Sequence, residues 1–175
     1  MTYPKPTTGI AEGSIAHGRS LNDETPTARR ADHGKSLAQA YRELGGDPPA
    51  KIPRVVWLLE NPDSPLALGG SISLRNHDYL HILLGRGFSP KDEAFVIGVT
   101  MGNDPCTRWW DYAIFKLAAR FLYPHPYRFT QDHLRIFDQG VVLGRSLGVK
   151  SLNRFDFDRL DHLSVRALRW MVGIS

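Results

Sequence analysis

The sequence predicts an all-α fold, in which a single helical domain follows a flexible N-terminal arm. Apolar side chains recur three and four positions apart over most of residues 36–172, which is the spacing of one helix face. Capping residues and Gly or Pro stops divide this region into helix-sized segments, and no stretch alternates as a half-buried strand does. With 175 residues and 42% hydrophobic residues, the chain has enough apolar material for one core.

The N-terminal residues 1–33 are rich in Thr, Gly, Ser and Pro and contain few large apolar side chains. Such a composition buries too little surface to offset the entropy lost on ordering. We therefore expect residues 1–33 to form a flexible polar arm and residues 34–175 to form the helical domain. A chain that starts at Gly34 should accordingly keep its helix content and its melting temperature.

Two short helices are predicted before residue 61. Over residues 36–44, Ser36 can cap a helix whose apolar stripe runs from Leu37 to Leu44, and Gly45-Gly46 ends it. Residues 55–60 are apolar enough for a strand or a helix. We favour a helix there because all later segments are helical.

The later helices have clearer boundaries. A helix that begins at Ser71 or Ser73 and reaches residue 84 is stopped by Gly85, and Ser89 followed by Pro90 opens the next one. Further helices are predicted at residues 107–122, 130–147 and 161–172, separated by breaks at 102–105 and 124–126.

Charge and composition narrow the classes of protein. The 22 Lys/Arg against 18 Asp/Glu give a net charge of +4, but no basic cluster carries interleaved aromatic residues, so we expect no nucleic-acid partner. No apolar run approaches the roughly 20 residues that cross a bilayer, and the N-terminus lacks the order of a secretory signal. The single Cys106 fits a reducing compartment. The expected location is the cytoplasm or, peripherally, the inner face of a membrane.

Four residues of the predicted helical hairpin form a candidate metal site. His77 and His81 are four positions apart, so they stack on one helix face, and Asp78 lies on the flank of that face. At ~1.5 Å per residue, His81 lies ~6 Å before the end of the first helix and Glu93 ~4.5 Å after the start of the second. Glu93 is thus expected at nearly the height of His81 on the neighbouring helix.

The alternative to a metal site is a solvated helix face with a salt bridge, because a His-Asp pair needs no metal. The expected height of Glu93 favours a site for one divalent ion. Two His with two carboxylates suit zinc, two His with one carboxylate also suit iron(II), and magnesium is a further alternative. If only three of the four residues bind, Asp78 or Glu93 is free to act as the catalytic general base.

The pattern His77-Asp78-x-x-His81, followed after eleven residues by Glu93, resembles the signature of the coenzyme Q biosynthesis protein 4 (Coq4) family. The Lys35-to-Tyr41 segment, Gly144-Arg145 and the segments 153–160 and 164–174 are also similar to that family, so the resemblance spans about residues 34–175. Two departures stand out. Asp92 takes the place of a glycine before the glutamate, and a polar arm is expected instead of the family's extra N-terminal helices.

The resemblance implies a helical protein of ubiquinone biosynthesis that carries a metal on this motif. Its ligand would be a polyprenylated hydroxybenzoate-type ring or another isoprenoid lipid. Its reaction would be removal of the ring carboxyl, with or without oxidation. A peripheral membrane contact and a homodimer or a complex with other biosynthetic enzymes are further expectations.

Two other functions remain open at this point. One is a non-catalytic lipid carrier or scaffold in which the metal is purely structural. The other is an HD-type phosphohydrolase, which also uses a His-Asp pair but needs a further upstream His. Only His17 and His33 precede the motif, and both lie in the predicted arm.

Overall fold

A computed structural model describes residues 34–44, 54–125 and 127–174. Within these residues the fold is all-α, as predicted, and contains no strand. The arm predicted at 1–33 and the Gly45-Gly46 stop lie outside the described residues. Seven α-helices are present in the described part: α1 (Leu37–Leu44), α2 (Arg54–Glu60), α3 (Leu74–Leu84), α4 (Pro90–Asn103), α5 (Trp109–Leu117), α6 (Gln131–Ser146) and α7 (Val165–Val172).

The helix starts follow the capping signals of the sequence. The hydroxyl oxygens of Ser73 and Ser89 accept the backbone N–H of Asn76 and Asp92, and they cap α3 and α4. Thr130 and Ser164 cap α6 and α7 in the same way. The segment 55–60, which the pattern alone left between strand and helix, is helical in α2.

The core consists of two apolar clusters that share α4. Val96 and Val99 of α4 pack into the first cluster with α1, α3 and α7, whereas Ala94, Ile97 and Met101 pack into the second with α5 and α6. A helix that contributes to the core on several faces is buried rather than amphipathic. α4 is therefore the central helix of the domain.

α4 and α6 approach each other closely along a line of glycines. A Cβ atom on Gly98 of α4 would overlap the carbonyl oxygen of Phe137, and one on Gly140 of α6 would overlap the carbonyl oxygen of Phe95. Only glycine leaves room for two helix backbones at this separation. The same contact repeats one turn later at Gly102 and Gly144, and it fixes α4 against α6.

The C-terminal end of α4 lies in a buried polar network formed by Asn103, Asp104 and Asn153. The Asn103 amide nitrogen donates to the carbonyls of Gly144 and Val149 at 3.2 and 2.7 Å, and its oxygen accepts the N–H of Leu152 at 2.8 Å. The network ties the end of α4 to the segment after α6.

Asp104 extends the same network. Its carboxylate accepts the N–H groups of Gly70 and Cys106 at 3.0 and 2.9 Å and the amide nitrogen of Asn153 at 3.2 Å. These bonds connect the loop before α3 to the loop after α4.

The predicted helix at 107–122 differs from the observed one. Helix α5 ends at Leu117 and continues as a π-helical turn, Ala118–Leu122, in which the N–H of Tyr123 bonds to the carbonyl of Ala118 five residues back. Two short 3₁₀ segments, Leu152–Arg154 and Phe157–Leu160, also lie where no helix was predicted. Such turns have no periodicity signal because they are shorter than one apolar repeat.

Among the described helices, none has both the length and the apolar character required to cross a bilayer. Helix α5 nevertheless has an exposed apolar outer face. This face continues into the π-helical turn. Its exposed apolar side chains are Trp109, Ile114, Leu117, Phe121 and Leu122. The peripheral membrane contact expected from the sequence stays a prediction.

Candidate metal centre

The metal centre candidate is built on the hairpin of α3 and α4. Gly85 ends α3 in the left-handed conformation, with φ 61°, and its N–H bonds back to the last carbonyls of the helix. Four residues later Ser89 caps α4 and Pro90 occupies its first turn. This short connection brings the end of α3 beside the start of α4.

His77, His81 and Glu93 meet across the hairpin, as the sequence predicted. One ligand atom from each lies within 4.8 Å of the others. The Nε2 atoms of His77 and His81 are 3.6 and 3.5 Å from the two carboxylate oxygens of Glu93. His81 is fully buried, and the two imidazole rings meet edge to face with centroids 4.7 Å apart. We call these three residues the hairpin triad.

Three of the four imidazole nitrogens of the hairpin triad lack hydrogen-bond partners. His77 Nε2 and both ring nitrogens of His81 are buried with no partner within the described protein. Buried polar atoms are nearly always satisfied, so an unpartnered group of this kind needs an explanation. Metal bonds of about 2.0–2.2 Å in tetrahedral geometry separate neighbouring donors by about 3.3–3.6 Å. The two imidazole-to-carboxylate distances, each to a different oxygen of Glu93, are close to this range, and one donor atom from each residue lies within 4.8 Å of the others. The triad could therefore hold a divalent ion.

The protonation states of the triad also suit a metal. Burial, opposed by the charge of Glu93, lowers the pKa of His77 to about 4, so its imidazole is neutral at pH 7. Burial acts against ionisation of Glu93, but His77 and His81 outweigh it and hold the pKa of the carboxyl below its usual value. Metal ligands must be deprotonated, and a neutral imidazole beside a carboxylate meets that condition. His81 is the exception, because Glu93 overcomes the effect of burial and raises the pKa of this imidazole.

Asp78 lies beside the triad without joining it. Its side chain is buried, and this burial raises the pKa of the carboxyl to about 6. Adjacent residues on a helix point about 100° apart, so Asp78 cannot share the direction of His77. Its role as a fourth metal ligand stays a prediction, as does its role as a general base.

Two residues of the triad, His77 and Glu93, line an apolar cavity of about 520 Å³. The cavity lies between the hairpin and the second core cluster. Phe88 at its edge packs against His81 in a tilted arrangement, with ring centroids 4.9 Å apart. Its apolar lining includes Val56, Leu59, Leu68, Ile72, Leu74, Phe88, Ile97, Met101, Phe115, Tyr127 and Phe129. The side chains of Glu60, His77, Asp78, Glu93 and Thr100 are among its polar lining.

Sequence reasoning missed one polar pair in this cavity. The hydroxyl of Tyr123 donates a 2.6 Å hydrogen bond to Oε1 of Glu60. Burial raises the pKa of Glu60 to about 7, against the Tyr123 hydrogen bond and with the help of the negative charge of Glu93. In the sequence, the one sign of Glu60 as a site residue was its place as an acid at the end of the apolar segment 55–60. An acid at that position is equally typical of the end of a helix.

Comparisons with protein-family models, curated proteins and solved structures find no match for this chain. The resemblance to the Coq4 family thus rests on the sequence motif and stays a prediction. What the structure adds is the placement of three of the four motif residues around one point.

Proposed function

We propose that the chain is a Coq4-like metal protein that binds a prenylated hydroxybenzoate-type ring and removes the ring carboxyl. One observation carries this proposal, namely that the hairpin triad has three unpartnered ring nitrogens and that two of its residues, His77 and Glu93, line a mostly apolar cavity. The metal would meet the carboxylate of the ligand, and the apolar lining would meet its ring and its prenyl chain. The motif resemblance supports the class of ligand.

His77, His81 and Glu93 would hold one divalent ion. Two imidazoles and a carboxylate suit zinc, with iron(II) next, whereas magnesium prefers oxygen ligands throughout. When bound, the ion supplies a positive charge that binds and polarises a carboxylate oxygen. Three protein ligands leave a coordination position for that oxygen, as catalytic sites require.

The cavity suits a ring that carries an apolar chain. Its volume of about 520 Å³ lies within the roughly 300–1,000 Å³ of small-molecule sites. Phe88 and Pro90 line the cavity and are also exposed, so the cavity reaches the surface there. A long prenyl chain would leave the protein on that side. Asp78, which lines the cavity outside the triad, is the residue we propose as general base for the ring hydroxyl.

The proposal is tested by the release of CO₂ from a prenylated 4-hydroxybenzoate supplied to the zinc-loaded protein. We expect Glu93→Gln to lose most of its metal and its turnover, because the triad loses its only negative ligand. Asp78→Asn should keep the metal and lose turnover by about 10²–10⁴-fold, as expected for removal of a general base. The matched control is Glu43→Gln, an exposed acid of α1 that should behave as wild type.

The outcomes separate the alternatives. Binding of the prenylated acid without CO₂ release by wild type would favour the lipid carrier or scaffold. Wild-type turnover that persists in Glu93→Gln and Asp78→Asn would exclude the metal-dependent mechanism.

A further inference from the structure

Glu60 and Tyr123 form a second polar group in the cavity, separate in sequence from the hairpin triad. Glu60 is the last residue of α2, and Tyr123 follows the π-helical turn after α5. Both line the same cavity as Glu93, and the hydroxyl of Tyr123 donates to Oε1 of Glu60 at 2.6 Å. The cavity thus contains the carboxyl of Glu60, which is not one of the three candidate metal ligands.

The surrounding backbone fixes the position of this pair. The N–H of Leu68 bonds to the carbonyl of Leu59 at 2.9 Å, and the N–H of Ile72 bonds to that of Glu60 at 3.1 Å. The N–H of Tyr123 bonds to Ala118, and its ring is almost fully buried. Because its backbone is fixed by these bonds and its carboxyl by the Tyr123 hydroxyl, Glu60 is preorganised at the cavity wall.

Loss of a ring carboxyl requires an acid as well as a metal. The bond between the ring carbon and the carboxylate carbon breaks, CO₂ leaves, and the electron pair of that bond stays on the ring carbon. A proton must then form a new C–H bond at the same carbon. Side chains that bind a metal ion are deprotonated, so a metal-loaded triad would have no proton to give. The proton therefore needs another source.

We propose that Glu60 is the proton donor to the ring carbon and that Tyr123 is its positioning residue. This inference rests on the proposed function. Glu60 gives its proton to the ring carbon and becomes a carboxylate, and a proton from water restores the acid after the products leave. The transfer involves no oxidant and no further reactant, since protons and electrons balance within the step.

The electrostatics of the cavity support this role. Burial and the charge of Glu93 bring the pKa of Glu60 to about 7, so a large fraction is protonated near neutral pH. A general acid is most effective when its pKa lies close to the working pH. The Tyr123 hydroxyl acts in the opposite direction and lowers the pKa of Glu60. Tyr123 and Glu93 are the titratable groups that act on Glu60 within the described residues.

The test compares Glu60→Gln and Tyr123→Phe with wild type and with Glu43→Gln as the matched surface control. The probe is 4-hydroxybenzoate with one prenyl group at position 3. We expect Glu60→Gln to keep its metal and to bind the probe within about twofold, while CO₂ release falls by about 10²–10⁴-fold. In Tyr123→Phe the alkaline limb of the rate profile should move to higher pH, because the hydrogen bond that lowers the pKa of Glu60 is gone.

A second measurement does not depend on turnover. Wild type at pH 6 should show the infrared carbonyl band of a buried protonated carboxylic acid, and Glu60→Gln should lack the Glu60 component. The inference is wrong if the band is the same in an active wild type and in Glu60→Gln, or if Glu60→Gln releases CO₂ at the wild-type rate. A wild type that releases no CO₂ from the probe would instead overturn the proposed function, and the donor role with it.

Discussion

The two ends of α4 carry two buried polar groups that differ in their hydrogen bonding. At the start, Glu93 faces His77 and His81, whose ring nitrogens include three buried atoms without a partner. At the end, Asn103 makes three hydrogen bonds of 2.7–3.2 Å. Over ten residues of one helix, at ~1.5 Å each, the chain goes from two histidines with three unpartnered ring nitrogens to Asn103, whose amide nitrogen and oxygen are both paired. In the network around Asn103, Oδ1 of Asn153 is the buried atom without a partner.

The difference separates a group that could bind a ligand from one that connects parts of the chain. Burying a polar atom without a hydrogen bond destabilises the fold, so a network that pairs its donors and acceptors stabilises the connections it spans. The hairpin triad retains part of the penalty of burial, because three of its ring nitrogens lack a hydrogen bond and Glu93 approaches them no closer than 3.5 Å. A ligand from outside the chain could satisfy the triad nitrogens, whereas the amide of Asn103 is satisfied by the chain itself.

The sharpest test of this comparison is His81→Ala. Wild type should bind about one divalent ion per chain, and loss of the buried imidazole should reduce metal content to background. Elemental analysis after exposure to zinc and desalting measures the effect. His162→Ala removes an exposed histidine and serves as the control. Equal metal in wild type and in His81→Ala would show that the hairpin triad is not the site.

At the other end of α4, Asn103→Ala should affect stability rather than metal. The change leaves two carbonyls and one N–H without their partner, so we expect the free energy of unfolding to fall by about 3–5 kcal/mol. Urea denaturation measures this loss, and Gln131→Ala, an exposed amide, should change little. The remaining folded protein should bind zinc as wild type does. A loss of metal from folded Asn103→Ala would mean that the two ends of α4 are not independent.

Glu60→Gln gives a smaller effect that depends on pH. Because the pKa of Glu60 is raised from 4.5 to about 7, the folded chain keeps a proton that the unfolded chain has lost. Stability from this group is complete below pH 4.5 and is lost as the pH rises to 7. The neutral amide avoids the loss. In metal-free protein we expect Glu60→Gln to be more stable than wild type by on the order of 2–3 kcal/mol at pH 8 but by under about 1 kcal/mol at pH 5.

Urea midpoints at the two pH values, with Glu43→Gln as control, test this prediction. A pH-independent difference would mean that Glu60 titrates as an ordinary surface acid. In that case Glu60 would resemble neither the hairpin triad nor the hydrogen-bonded network around Asn103.

The sequence predicted the hairpin well because its geometry is set locally. Ser73, Gly85, Ser89 and Pro90 determine where the two helices stop and start, and these bounds fix the height of Glu93 against His81. The same reasoning was less informative for Asp78. This residue directly follows His77, and adjacent side chains on a helix point in different directions. Helix type and helix bounds follow from residues that are close in sequence. The position of Glu93 opposite His81 follows in turn from those bounds.

The Glu60–Tyr123 pair could not be predicted in this way. The two residues are 63 positions apart, and they meet only after α2 and α5 have packed around the cavity. The close contact of α4 with α6 has the same origin. Gly98 and Gly140 are visible in the sequence, but their pairing depends on tertiary packing that no short-range pattern encodes.

The π-helical turn at Ala118–Leu122 has a consequence for how this site can change in evolution. In a regular α-helix the carbonyl of Ala118 would accept the N–H of Leu122, whereas here it accepts that of Tyr123. The additional residue in the turn leaves Leu122 exposed and brings Tyr123 into the cavity wall. Deletion of one residue from the turn would rotate the following side chain by about 100° and remove the phenol from Glu60. A relative of this protein could therefore gain or lose the partner of its buried acid by a single-codon insertion or deletion, without any substitution in the cavity.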